Sequence, residues 1–213
     1  MRTLIAVPCM DTVHTLFFTS MMNLRKPAGT EIAVSCSSLI YDARNTLAKK
    51  AIDDGFDRVL WLDSDMVFDA DLMERLSANL DAGLDFCCGI FFTRRKPIRP
   101  CIYQFLGNRD NGDGKEMPTA EPYEDYPEDQ IFKVDGCGFA AVMMTTDLIR
   151  RCGPSPFFPV LGFGEDFTFC LRAREEGATL WCDSRIKVGH CGLSLISENT
   201  YMDTRGRREK DGG

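Results

Sequence analysis

The chain lacks any apolar run long enough to span a bilayer. Residues 1–8 also lack the long apolar core and the cleavage site that mark a signal peptide. The ten cysteines include no Cys-x-x-Cys pair, which excludes zinc-ribbon spacing. Most of them lie inside apolar runs, as is typical of reduced core residues. We therefore expect a cytoplasmic protein in a reducing compartment.

An excess of basic residues is also missing, because 25 Lys and Arg residues face 32 Asp and Glu residues and leave a net charge of −7. This balance excludes the chain as a whole as a general nucleic-acid binder. It leaves room for a local basic patch at Arg94, Arg95 and Lys96. These residues would engage a phosphate or an anionic acceptor, although a solvated basic turn before Pro97 is the favoured interpretation.

Short apolar runs alternate with segments of helical periodicity over the first 92 residues. The runs predict strands at residues 4–7, 31–36, 58–62 and 85–92, and the segments between them predict helices at 11–24, 42–54 and 71–83. A capping-box pattern from Asp71 to Glu74 marks the start of the third helix. This alternation predicts an α/β fold with an open, mostly parallel sheet and helices on both faces.

The second half has a different pattern. It predicts strands at residues 101–106, 131–134, 139–145, 179–182 and 185–188, with one helix at 167–176. Residues 107–130 are dense in Gly, Pro, Asp and Glu, which predicts a mobile loop in preference to a disordered insert. From Tyr201 onward the residues are polar and charged, which predicts a frayed tail.

Two carboxylates, Asp63 and Asp65, follow the third predicted strand directly. Side chains two apart on an extended segment point the same way, so both acids can serve one site. Carboxylate oxygens suit hard cations such as Mg²⁺ and Mn²⁺. An Asx-type turn closing the strand would also explain the pair. Because ligands of open α/β sheets bind beyond the carboxyl ends of the strands, the position favours a functional site.

Several short motifs occur in a recognisable order. They are a first strand ending at Pro8, an Asp-x-Asp at 63–65, a Gly-x-Gly-Phe at 136–139, Glu165 and Asp166 opening a helix, and His190 after a late strand. Over residues 3–192 this order resembles the GT-A glycosyltransferases, most of all their family 2 type. The resemblance implies a single GT-A (Rossmann-like) domain with a mostly parallel central sheet and a small antiparallel C-terminal part.

The resemblance also implies a domain organisation and an activity. Residues 1–200 would form the GT-A domain, with a nucleotide-binding half at 1–92 and an acceptor half at 93–200, followed by a polar tail at 201–213. A sugar would pass with inversion from a nucleotide-sugar donor, by default a UDP-sugar, to an unidentified hydroxyl acceptor, with Mn²⁺ or Mg²⁺ as cofactor. The Gln-x-x-Arg-Trp element and membrane helices of processive synthases are absent, which favours transfer of single sugars.

For the metal, the resemblance implies Asp65 as a ligand and Asp63 as a contact to the metal or to the ribose. His190 stands where many GT-A enzymes place a third ligand, and imidazole suits Mn²⁺. A lone histidine is also often structural, which is the alternative for His190.

For catalysis, the resemblance implies Asp166 as the general base with Glu165 beside it. An inverting transfer needs a carboxylate to accept the proton of the attacking hydroxyl. The alternative is that both acids cap the helix and complement its dipole. A retaining transfer would remove the role of base.

For the nucleotide, Pro8 and Asp11 match the region after the first strand in this family. Arg44 would pair with the diphosphate in a bidentate way, or else be a solvated arginine near a helix start. Gly136 and Phe139 are expected to shape the sugar and acceptor side, and Phe139 is equally well explained as a core residue.

Two other functions stay open. A sugar-phosphate nucleotidyltransferase needs a glycine-rich basic loop after the first strand, and residues 8–11 are not one. A non-catalytic module of the same fold would hold a nucleotide or a partner, but the full set of acids favours an enzyme.

Overall fold

The computed structural model describes residues 1–110, 114, 116–160, 162–192 and 195–211. The helices within these ranges are α1 (Thr15–Asn23), α2 (Ile40–Asp53), α3 (Leu72–Asp81), α4 (Thr146–Arg151), α5 (Glu165–Glu175) and α6 (Glu198–Asp211). The strands are β1 (Thr3–Cys9), β2 (Thr30–Cys36), β3 (Arg58–Leu62), β4 (Met66–Val67), β5 (Phe86–Ile90), β6 (Ile102–Asp110), β7 (Glu116–Pro122), β8 (Ile131–Val134), β9 (Gly136–Cys137), β10 (Ala141–Thr145), β11 (Leu180–Lys187) and β12 (Gly189–His190).

A seven-stranded sheet forms the centre of the fold, in the order β2-β1-β3-β10-β5-β11-β8. Strands β2, β1, β3, β5 and β11 run in one direction, and β10 and β8 run against them. An antiparallel sheet, β7-β6-β9, and the short pair β12-β4 complete the strands of the described ranges. The predicted α/β class, with a mostly parallel sheet and a small antiparallel part, is confirmed.

Both faces of the sheet are covered because alternate strand residues enter two different cores. Val59 and Trp61 of β3 join the core formed with α2, α4 and α5. Leu60 and Leu62 join the core formed with α1 and α3. All residues of β3 are buried. This strand is therefore held from both sides, and the segment that follows it leaves the sheet at a defined point.

The predicted loop at 107–130 is wrong over much of its length. Strands β6 and β7 pair as an antiparallel hairpin, with a register shift between Phe105 and Gly107. The hairpin satisfies its backbone groups through the ladder. Its polar residues are tolerated because residues 106–110 are all exposed. Its lack of apolar alternation hid it from sequence analysis. Residues 111–113 and 115 lie outside the described part of the chain.

The predicted frayed tail from Tyr201 is also wrong at its start. Tyr201 lies within α6 and is only 3% exposed. Its ring stacks on Phe92 with centroids 4.4 Å apart, and its hydroxyl donates to the Glu124 carbonyl over 3.1 Å. Tyr201 thus anchors the beginning of the helix, together with Glu198, which pairs with Lys187.

Several element boundaries differ from prediction. Helix α1 begins at Thr15, four residues later than predicted, since Nδ1 of His14 accepts the Leu16 N–H and caps it. Helix α3 forms, but Asp71 makes no side-chain cap bond, so the capping box is not realised. Helix α4 was not predicted, and the two late strands are one continuous β11.

No helix within the described ranges has the length and apolarity to cross a membrane.

Candidate functional site

A cavity of about 570 Å³ opens where β1 and β3 end, at the carboxyl edge of the parallel strands. Ligands of open α/β sheets bind at this edge. Four residues expected at a site, Pro8, Asp11, Asp63 and Asp65, lie in its wall, and Arg94 lies there with them. The structure therefore brings the Asp-x-Asp segment and the segment after β1 to one cavity.

His190 lies against Asp65 because β12 pairs with β4, the strand that directly follows the Asp-x-Asp. Nε2 of His190 is 3.4 Å from Oδ2 of Asp65, and Nδ1 is 2.9 Å from the Phe92 carbonyl oxygen. A carbonyl only accepts, so Nδ1 carries the hydrogen that is donated to Phe92. In a neutral ring, Nε2 would then face the carboxylate as a second electron-rich atom. A proton or a cation shared between the two groups makes the contact favourable.

The protonation states of this pair reflect the same contact. Burial opposes the charge on Asp65, but the hydrogen bond and charge of His190 and the charge of Arg94 outweigh it and lower the pKa of that carboxyl. Burial likewise opposes the charge on His190, but its hydrogen bonds to Asp65 and to the Phe92 carbonyl raise the pKa of the imidazole. The unliganded pair is thus stabilised as imidazolium and carboxylate.

Arg94 forms an ion pair with Oδ2 of Asp65 and also donates to the Cys191 carbonyl over 3.4 Å. Its turn is closed by Thr93, whose hydroxyl donates to the Pro97 carbonyl over 3.1 Å. Arg94 is exposed, as the favoured interpretation of a solvated basic turn requires, but its guanidinium also pairs with Asp65.

Asp63 is held by Arg44 instead of lying beside His190. Arg44 is 3% exposed, and its Nη2 lies 2.9 Å from Oδ1 of Asp63 while its Nε lies 3.0 Å from Oε1 of Glu165. The guanidinium carbon is 5.9 Å from the Trp61 ring centroid and 5.4 Å from that of Phe139. The solvated alternative for Arg44 is wrong, because the side chain is an internal link between two site acids.

The Nη1 atom of Arg44 is buried and has no hydrogen-bond partner within the described residues. Burial opposes its charge, but Asp63, Glu165 and Asp166 together raise the pKa of the guanidinium. For Asp63, in contrast, burial raises the pKa of the carboxyl. The charge of Arg44 opposes this rise, and the charge of Asp65 adds to it. A single buried cation thus balances several carboxylates.

Asp166 lies at the start of α5, where its Oδ1 accepts the Phe167 N–H over 2.7 Å. Burial, with the negative charge of Glu165 next in importance, raises the pKa of Asp166 to about 6 against the opposing charge of Arg44. Such a carboxyl changes its charge near neutral pH, as a general base needs to. Glu165 points to Arg44, and the N-cap residue Gly164 has no side chain to cap α5, so the capping alternative applies only to Asp166, through its bond to the Phe167 N–H.

The two glycines of the Gly-x-Gly-Phe segment have different surroundings. A Cβ on Gly136, the expected site residue, would lie 3.1 Å from the Phe167 ring, so this glycine permits the packing of β9 on α5. A Cβ on Gly138 would lie 2.7 Å from the Phe91 ring and 3.6 Å from Oδ2 of Asp166. Phe139 is buried in the aromatic core. Gly138 is therefore the member of the segment next to the candidate base.

The structure brings together only part of the expected metal-ligand set. No group of three His, Cys, Asp or Glu side chains within the described residues is arranged to hold a metal ion. Asp65 and His190 are together, whereas Asp63 is paired with Arg44. The Asp65 oxygen fits Mn²⁺ or Mg²⁺ when phosphate oxygens and water complete the coordination, whereas the His190 nitrogen fits Mg²⁺ poorly because Mg²⁺ prefers oxygen ligands.

Sequence reasoning did not single out His14 or Gly138, and it left Arg94 open between a phosphate contact and a solvated turn. The backbone N–H of His14 donates to the Ser64 carbonyl over 2.9 Å, which holds the segment after β1 against the Asp-x-Asp. Its side chain borders the cavity. Gly138 was visible in the Gly-x-Gly-Phe pattern, but nothing in the sequence distinguished it from Gly136.

Comparisons with known proteins identify the type of fold. No family model matches the chain, and no curated protein matches its sequence significantly. The solved structure of A197 from STIV is similar with a TM-score of 0.66 at 19% identity, over 92% of this chain and 94% of that one. The structure of GalNAc-T7 with UDP, GalNAc and Mn²⁺ is similar with a TM-score of 0.61 at 10% identity, over 96% of this chain. The chain spans about half of GalNAc-T7, 47% of its length. These similarities show a GT-A-like fold and do not single out the family 2 type.

Proposed function

We propose that the protein is a glycosyltransferase that moves a single sugar from a nucleotide-sugar, with a UDP-sugar as the first candidate, to a hydroxyl acceptor with inversion. The observation that carries this proposal is the contact of His190 with Asp65, which lies in the wall of a cavity at the carboxyl edge of the sheet. Asp166, a carboxyl with a pKa of about 6, adds a candidate base on the same fold. The GT-A-like fold, shared with GalNAc-T7 in its UDP and Mn²⁺ complex, supports the donor class.

Asp65 and His190 are the proposed protein ligands of a divalent metal. The metal would offset the negative charge that develops on the leaving diphosphate. Arg94, released from Asp65, would remain in the cavity wall, where a guanidinium pairs well with phosphate oxygens.

Asp166 is the proposed base that accepts the proton of the acceptor hydroxyl. Its carboxylate is largely ionised above pH 6, and Arg44 limits how far the pKa rises. Gly138 leaves the space beside Oδ2 free of a side chain. Arg44 binds Oε1 of Glu165, so Glu165 would act as a positioning residue.

The test is metal-dependent release of UDP from a panel of UDP-sugars, comparing the wild type with Asp65→Ala and with Asp147→Ala. Asp147 is an exposed acid on α4 and is the matched control. We expect Mn²⁺-dependent release by the wild type and the control, and loss of release in Asp65→Ala. Equal release by all three proteins, or no donor bound or cleaved by any of them, would contradict the proposal.

One observation favours a second candidate, a module that binds a nucleotide without metal or catalysis. Both acids of the Asp-x-Asp are paired with arginines, Asp63 with Arg44 and Asp65 with Arg94. Calorimetric titration with UDP in the presence of EDTA distinguishes the candidates. The module should bind equally with and without Mn²⁺, whereas the transferase should bind UDP more weakly in EDTA.

A further inference from the structure

Two cysteines meet at the ends of neighbouring strands. Cys9 of β1 and Cys36 of β2 are direct register partners in the parallel pair, and their Sγ atoms lie 3.3 Å apart. Neighbouring strands are about 4.8 Å apart, within the Cα separation of about 4.4 to 6.8 Å that disulfides span. A disulfide here needs a small approach of the two sulfurs and no change in strand pairing.

The two thiols differ in their access to solvent. Cys36 is exposed, whereas eight of the ten cysteines, Cys9 among them, are buried and Cys152 is half-buried. Burial, followed by the hydrogen bond with Cys36, raises the pKa of Cys9 to about 11. Cys36 is therefore the thiol that a reagent in solution meets first, and Cys9 is the thiol positioned to react second.

We propose that Cys9 and Cys36 form a modification site that takes up a reversible intramolecular disulfide by exchange with a small disulfide such as oxidised glutathione. The Cys36 thiolate attacks one sulfur of the reagent, whose S–S bond breaks and releases one glutathione as a thiolate that takes up a proton. Cys9 then gives its proton to solvent and attacks Sγ of Cys36, and the second glutathione leaves as a thiolate. Two protein thiols are oxidised, and one glutathione disulfide is reduced to two thiols.

The crosslink would border the cavity through Cys9. Cys9 lines the cavity beside Pro8 and Asp11. The Ser37 N–H donates to the Cys9 carbonyl over 3.0 Å, so the segments that follow β1 and β2 are already joined there. The exchange does not depend on glycosyl transfer, because neither a donor nor a metal takes part in it.

The test uses the full chain, first reduced and then incubated in the folded state with oxidised glutathione. After acid quenching, the remaining thiols are alkylated in denaturant and counted by intact mass. We expect the wild type, with ten cysteines, to lose two alkylation sites and to carry no glutathione. Peptide mapping should join the Cys9 and Cys36 peptides, and excess reduced glutathione should restore both sites. Cys152→Ser is the matched control and should form the same crosslink.

Two further variants separate the roles of the two thiols. Cys9→Ser should hold glutathione on Cys36 as a stable mixed disulfide, because the second thiol is missing. Cys36→Ser changes an exposed side chain and should keep all its remaining thiols free. Glutathione that persists on Cys36 in the wild type, a covalent dimer through Cys36, or full alkylation after exposure to the disulfide would each overturn the proposal.

Discussion

The Nε atom of Arg44 lies 3.0 Å from Oε1 of Glu165, a residue 121 positions further along the chain. The same guanidinium binds Asp63 through Nη2. One buried cation therefore joins α2, the end of β3 and the start of α5, which are the elements that carry the candidate site. Because Asp166 directly follows Glu165 in the chain, this link also helps to position Asp166.

Replacing Arg44 with methionine should cost much of the stability of the fold. The change leaves Asp63 and Glu165 without their buried partner, and breaking a buried ion pair in this way costs about 3 to 5 kcal/mol. Urea denaturation at pH 7 measures the loss. Arg25→Met is the control, because Arg25 pairs with Glu74 at the surface and exposed pairs contribute little. Equal losses in the two variants would contradict the assigned role of Arg44.

The rate of transfer should rise as the pH passes through about 6. The base must be ionised to accept a proton, and burial raises the pKa of Asp166 to about 6. Asp166→Asn should retain donor binding and lose transfer by roughly 10² to 10⁴-fold. The measurement is kcat/KM between pH 5 and 8 in the presence of Mn²⁺. A flat profile for the wild type, or unchanged turnover in Asp166→Asn, would refute the role of base.

The carboxyl of Asp166 should also make the free energy of unfolding fall as the pH rises, whereas the rate of transfer should rise. Its folded pKa lies above the ordinary value of 3.8, so its favourable contribution is complete below pH 3.8 and is lost as the pH rises through about 6. Asp166→Asn removes the ionisable group and should be more stable than the wild type at pH 8, by about 3 kcal/mol. Urea denaturation at pH 8 and pH 4.5 tests this. The difference should shrink at pH 4.5, and a constant difference would contradict the assignment.

The sequence predicted the sheet and the position of the Asp-x-Asp at the end of β3, because both depend on local signals. A buried run such as β3 is recognisable by itself, and the acids after it follow from chain order. The contact of His190 with Asp65 depends on the pairing of β12 with β4, two strands of two residues each, which no local pattern marks. The resemblance to a family supplied that residue.

The partner of each acid was not predictable in the same way. Arg44 and Asp63 lie on different elements, and only the packing of α2 on the sheet brings the guanidinium to the carboxylate. The docking of Tyr201 on Phe92 is likewise a tertiary contact made by one aromatic residue in a polar segment. Polarity along the chain indicates solvation on average and does not identify such an anchor.

Arg94→Ala should strengthen Mn²⁺ binding, whereas His190→Ala should weaken it by at least roughly 10-fold. Arg94 forms an ion pair with the carboxylate oxygen that faces His190, so it competes with a cation for that oxygen. Mn²⁺ should also bind more tightly at pH 8 than at pH 6, because contact with Asp65 raises the pKa of His190 and the metal must displace its proton. Calorimetric titration in two buffers of different ionisation enthalpy measures both affinity and proton release. Arg95→Ala, a change at the neighbouring exposed arginine, should leave the affinity unchanged. If Arg94→Ala weakened binding as His190→Ala does, Arg94 would be a support of the metal site and not its competitor.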